Sequence, residues 1–134
     1  MNRDQALTAT LDELRDARAE MDGWKKPGTP WIGGTNYMHD DVCEQIVRSA
    51  WWRLMRGGDI DRKIYHPYPP TLDGADSAMP EGYEWERTPF EWWAWKHGSR
   101  MDGPAAKIDD TGNKTADLYR LAVLCCLAEK EASK

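Results

Sequence analysis

Thr88-Pro89-Phe90-Glu91-Trp92-Trp93-Ala94-Trp95-Lys96-His97-Gly98 carries three of the chain's eight tryptophans. Thr88 is a good helix N-cap, Pro89 suits the first helical position, and Glu91 stands where a capping box needs its carboxylate. Gly98 supplies a stop. The stretch predicts a short helix over 89–97. On a helix, Trp92, Trp93 and Trp95 lie at steps of about 100° and cannot all face one core. At least one indole is then expected at the surface or in a cleft.

Downstream, Gly98 to Lys114 is turn-rich. A last helix is predicted over 115–131, capped by Thr115. From Leu118 to Ala128 its residues are apolar on nearly every side, the pattern of a helix surrounded by the rest of the fold. Upstream, residues 57–87 are dense in breakers, with short extended pieces possible at Lys63–Tyr65 and Tyr83–Trp85. Pro67, Pro69 and Pro70 favour an extended path around Tyr68, as a stiff connector or a docking motif. A helix over about 40–56, begun by Asp40 or Asp41 and stopped by Gly57-Gly58, would bury Val47, Trp51 and Leu54. Residues 22–39 form a Gly/Pro-rich connection whose two tryptophans and one tyrosine argue against disorder. Residues 4–21 read as an amphipathic helix with Leu7, Leu14 and Met21 inward and Thr10 out of place in the stripe. The fold expected is mostly α: a single globular domain over 1–134, with four helices around a buried C-terminal one, long ordered Gly/Pro/Trp-rich loops, and few or no short strands.

The 134 residues carry 18 Lys and Arg against 23 Asp and Glu, a net charge of −5. That balance argues against coating duplex nucleic acid, which wants a basic stripe. The N-terminus opens on a charged amphipathic stretch, and the longest apolar run, Leu121–Ala128, is too short for a bilayer span. No membrane association is expected, and the chain reads as cytoplasmic. Cys43, Cys125 and Cys126 form no Cys-x-x-Cys motif and read as buried, reduced thiols.

Motifs for chemistry are sparse. His39, His66 and His97 lack zinc spacing. Cys43 as a nucleophile gives way to core packing, and no serine sits in a nucleophile elbow. Gly33-Gly34-Thr35-Asn36 precedes a helix, but Asp40 and Asp41 would oppose an anion there. His39-Asp40-Asp41 and Asp59-Ile60-Asp61 read first as a cap and a turn, and Asp109-Asp110-Thr111-Gly112 as a turn before the last helix. The order of His39-Asp40-Asp41-Val42, the Trp-bearing helix, His66-Pro67 and Met79-Pro80-Glu81 resembles that of RyR-type repeats, small helical modules. The chain lacks that family's Gly-Trp-x-x-Gly turn and has Val42 in place of an aromatic, so no function is carried over.

Aromatics interleaved with cations remain. Each indole can bury roughly 150–250 Å², more than a small core poor in Leu, Ile and Val readily hides. Trp24, Trp31, Trp92 and Trp95 are expected to be accessible and Trp51 to be core. The expected binding surface is Trp24, Lys26, Trp31, Tyr37, Arg53, Trp92, Trp95 and Lys96, suited to a protein partner or a small nucleotide-like ligand. This makes the chain a non-enzymatic binding module of inhibitor, adaptor or sequestering type, with no cofactor, no metal and an open oligomeric state. The alternative is a small metal-dependent hydrolase or transferase using Asp59 and Asp61 or Asp109 and Asp110.

Overall fold

The computed structural model describes residues 1–29, 49–57 and 60–132. Two compact units are distinguished: Met1–Arg18 with Tyr68–Lys134, and Ala19–Pro67.

In the first unit, α1 (Arg3–Thr8) opens on a capping box in which Asn2 and Gln5 bond reciprocally. It stops at Ala9, and α2 (Leu11–Met21) begins at once. The Thr10 hydroxyl accepts the Glu13 N–H, and the Glu13 carboxylate accepts the Thr10 N–H. Thr10, out of place in a continuous stripe, is therefore the cap of a second helix, and the single helix expected over 4–21 is two.

The short helix α3 (Leu72–Ala78) is capped by Thr71, whose hydroxyl accepts from Gly74 at 3.0 Å. A Cβ at Gly74 would collide with the Pro69 carbonyl and the Tyr119 hydroxyl, so this helix needs a glycine to approach its neighbours. The Pro-rich stretch before it is anchored. Tyr68 is buried with its ring edge-on to Tyr119, and the Tyr119 hydroxyl donates to the Pro69 carbonyl at 2.5 Å.

Three antiparallel strands follow: β3 (Tyr83–Arg87), β4 (Glu91–Lys96) and β5 (Ala106–Asp109), with β4 central. The last helix, α4 (Lys114–Ala132), contacts α1, α3, β4 and β5. Its Leu118, Tyr119, Leu121, Ala122, Val123, Leu124 and Cys125 are all buried. Its cap is Asn113, whose side chain accepts from Ala116 at 3.1 Å, and not Thr115.

The second unit holds a two-stranded antiparallel sheet of β1 (Trp51–Leu54) and β2 (Ile60–Lys63), in register from Trp51 opposite Lys63 to Leu54 opposite Ile60. Lys25 adds a bridge to Trp52 through backbone bonds of 2.7 and 3.2 Å.

The mostly-α expectation fails: among the described residues, five strands in two antiparallel sheets accompany the helices. The helix expected over 89–97 is strand β4. Thr88 does cap, but it caps a turn. Its hydroxyl accepts from Phe90 and Glu91, and its own N–H donates to the Glu91 carbonyl at 2.8 Å, closing a two-residue Pro89-Phe90 connection. The residue types that open a helix also close this hairpin, and the β preference of three tryptophans decides the outcome. The helix expected over 40–56 is contradicted at Trp51–Leu54, which is β1; residues 40–48 lie outside the described residues.

Candidate functional site

Alternation along a strand sends successive side chains to opposite faces. In β4, Trp92 and Ala94 face α4 and are buried, as are Ala106 and Ile108 of β5. The other parity forms the outer face: Glu91, Trp93 and Trp95 in the centre, Glu84 and Glu86 on β3, Lys107 and Asp109 on β5. The register sets Glu84 opposite Trp95, Glu86 opposite Trp93, and Trp93 opposite Lys107. The Trp93 and Trp95 rings lie 5.8 Å apart.

Two cations cover these indoles. Arg100, from the 3-10 turn Arg100–Asp102, places its guanidinium 4.4 Å from the Trp95 ring centre. Its Nε donates to Glu84 at 2.8 Å, and Nη2 donates to Glu86 at 3.3 Å. That bond from Arg100 holds the Glu84 carboxyl below its ordinary range, and Glu84 in turn raises Arg100. Lys107 lies 5.1 Å from the Trp93 ring and pairs with Glu91 at 3.0 Å. The Trp93 Nε1–H is buried and finds no acceptor among the described residues.

The same constellation recurs. Behind the sheet, Arg87 lies 5.3 Å from the Trp92 ring and pairs with Asp110 at 2.7 Å. In the second unit, Arg53 lies 4.4 Å from the Trp24 ring and pairs with Asp22 and Asp61. Lys63 approaches Trp24 from 5.4 Å. Arg100, Lys107, Arg87 and Arg53 are each balanced by at least one carboxylate, so these indole faces are occupied by the chain's own charges.

The residues expected to form one binding surface are therefore distributed. Trp24 and Arg53 meet, while Lys26 pairs with Glu20 at 3.7 Å. Trp92 and Trp95 project to opposite faces of β4, and Lys96 bonds Glu129 on α4 beside Tyr83. Trp31 and Tyr37 lie outside the described residues. The expectation that Trp24, Trp92 and Trp95 are accessible is corrected: they are 2%, 1% and 8% exposed, because sheet packing and stacked cations cover them. Trp51 is buried, as its stripe implied, though on a strand.

Sequence reasoning missed Glu84, Glu86 and Lys107. The signal was the period-two alternation of Tyr83-Glu84-Trp85-Glu86-Arg87 beside a second aromatic run, a hairpin signature.

One carboxylate of each acidic pair, Asp110 and Asp61, is engaged in a structural contact. Asp110 is held below the usual carboxylate range, first by the Gly112 N–H at 2.8 Å and then by Arg87. A carboxylate fixed in that way is a weak base. Asp61 pairs with Arg53 at 3.3 Å, and Asp59 lies outside the described residues. Among the described residues no group of three His, Cys, Asp or Glu could hold a metal ion. Cys125 is a buried free thiol pushed up to about 12 by burial, and its neighbour Cys126 is half-buried; Cys43 lies outside the described residues. No helix among the described residues is long and apolar enough to cross a membrane.

Compared with known proteins, the chain matches no family model, no curated protein and no solved structure. The RyR-type likeness is thus one of motif order alone.

Proposed function

We propose that this chain is a non-enzymatic protein-binding module, of adaptor or inhibitor type, and that the outer face of the β3–β4–β5 sheet is its docking surface. The observation that carries this reading is the Trp93–Trp95 pair on that face, ringed by Glu84, Glu86, Glu91 and Asp109 and capped by Arg100 and Lys107. Tryptophan and arginine together are the residue types in which interface energy concentrates. A nucleotide fits less well than a protein partner. Its base would find both indoles already stacked, and its phosphates would meet four carboxylates. A partner presenting basic side chains meets complementary charge.

Affinity capture with three versions of the chain tests the reading: wild type, the outer-face variant Glu86→Arg/Lys107→Glu, and Tyr65→Ser, which alters an exposed aromatic in the second unit. The expected result is one protein partner held by wild type and Tyr65→Ser and lost from the outer-face variant at unchanged melting temperature. Equal retention by all three, or a native mass spectrum showing only a bound small molecule, overturns it.

A further inference from the structure

The Arg100 guanidinium occupies a site with three walls. The Trp95 indole lies beneath it at 4.4 Å, and the Glu84 and Glu86 carboxylates accept from two of its nitrogens at 2.8 and 3.3 Å. An aromatic plane with two carboxylates at its edge matches the shape and charge of a guanidinium more closely than that of an ammonium. The site itself stands on paired strands, since Glu84 is the cross-strand partner of Trp95 and Glu86 the partner of Trp93.

Its occupant is held less firmly than its walls. The Arg100 side chain is 51% exposed. The turn that bears it is bounded by Gly98 and Gly103, both at positive φ near 80–90°, where a side chain would strain the backbone. Met101, next in sequence, is fully exposed and anchors nothing. The turn's backbone bonds run to near neighbours, from Ser99 N–H to Lys96 and from Gly103 N–H to Arg100. Surface ion pairs of this kind form and break readily.

We propose that Trp95, Glu84 and Glu86 form a guanidinium-recognition site, filled in cis by Arg100, into which an arginine side chain of a partner protein exchanges. This rests on the outer sheet face being the docking surface and names the chemistry it selects. When Arg100 swings out, Glu84, Glu86, Glu91 and Asp109 face the partner with only Lys107 in opposition, so the charge favours an incoming cation. The exchange breaks and remakes the same stacking and the same two carboxylate contacts. The cis arginine therefore sets a threshold that a partner must exceed by its surrounding contacts.

The test uses N-acetylarginine amide, with N-acetyllysine amide beside it, and needs no partner, so it can fail separately from the capture experiment. Arg100→Ala is expected to bind the arginine probe about tenfold more tightly than wild type, read by tryptophan fluorescence, and the lysine probe more weakly. Adding Glu84→Gln/Glu86→Gln to Arg100→Ala should abolish the gain. In wild type, high concentrations of the arginine probe should move the Arg100 Nε–H resonance toward that of a free guanidinium. This second measurement decides the matter if Arg100→Ala fails to fold. Equal titrations of variant and wild type, a gain that survives loss of both carboxylates, or an Arg100 resonance indifferent to the probe overturns the proposal.

Discussion

Asp117 has no exposed surface, yet it is a carboxylate in the first turn of α4. It accepts the Thr111 hydroxyl at 2.6 Å, the Thr111 N–H at 2.9 Å and Arg120 Nη1 at 3.1 Å. Arg120 then donates to the Ala6 carbonyl at 3.0 Å and the Ala9 carbonyl at 2.8 Å, satisfying acceptors that the end of α1 leaves open. One buried anion thus fixes the turn before α4 and, through a guanidinium, the end of α1. Removing it strands a buried cation, so Asp117→Ala should destabilise by about 3–5 kcal/mol. Thr111→Val, which removes only a hydroxyl, should cost about 1 kcal/mol. Urea unfolding checks both, and an Asp117→Ala midpoint equal to that of Thr111→Val would show that Arg120 needs no counter-charge. Little of this was legible beforehand. An acidic residue in a helix's first turn ordinarily complements the dipole from solvent, and the partners of Asp117 are set by how α1 and α4 pack.

Helix α4 was legible as an element because a run apolar on all sides has few places to go but the centre. Strand β4 was not, because Thr88-Pro89-Phe90-Glu91 satisfies the chemistry of a helix cap and of a tight hairpin equally well. What distinguishes the two is the pairing of Trp92 opposite Arg87 and Ile108, a fact of non-local register. The same difficulty hid the outer face, since its residues come from three separate strands and a 3-10 turn. Element packing also fixes how stability responds to alkali. Burial pushes the Cys125 thiol from 9.0 to about 12 and the Tyr119 phenol from 10.0 to about 12. Tyr83 is raised too, by burial and then by its bond to Glu129. A raised folded pKa means that the folded chain keeps a proton the unfolded chain has lost. This contribution is complete below the unfolded value and drains away as pH climbs toward the folded one. The urea midpoint should accordingly fall from pH 9 upward. Cys125→Ala should delay the onset toward pH 10, and adding Tyr119→Phe should reduce the remaining fall to the part that Tyr83 contributes. A midpoint unchanged between pH 8 and 11 would mean that neither group is buried as found.

Across the molecule, tryptophan and charge are used together. Cation, indole and carboxylate combine at Arg87, Trp92 and Asp110, at Arg100, Trp95 and Glu84, at Lys107, Trp93 and Glu91, and at Arg53, Trp24 and Asp22. The aromatic excess was visible in the composition, and so was the interleaving of cations. That the chain's own cations would cover its own indoles was not, because a cation and its indole can lie far apart in the chain, as Arg53 and Lys63 lie from Trp24. This economy makes carboxylate ionisation a condition of the whole arrangement. Glu13, Glu84, Asp110 and Glu129 all lie below their ordinary values, each held down chiefly by hydrogen bonds to its charged form. For a depressed carboxylate the sign is the reverse of the thiol's. Its contribution is present above the unfolded value, 4.5 for Glu and 3.8 for Asp, and is lost as pH falls through the lower folded value. We expect a flat stability plateau above pH 5 and a decline beginning near pH 4.5. Tryptophan emission should change in step, as protonated Glu84 and Asp110 release Arg100 and Arg87 from Trp95 and Trp92. Glu84→Gln should remove part of the decline and leave the plateau's lower edge in place. Urea midpoints and emission spectra recorded from pH 7 to pH 2 at constant ionic strength check this. A decline that begins near pH 6.5, well above the carboxylate range, would show that these carboxylates do not set the acid sensitivity.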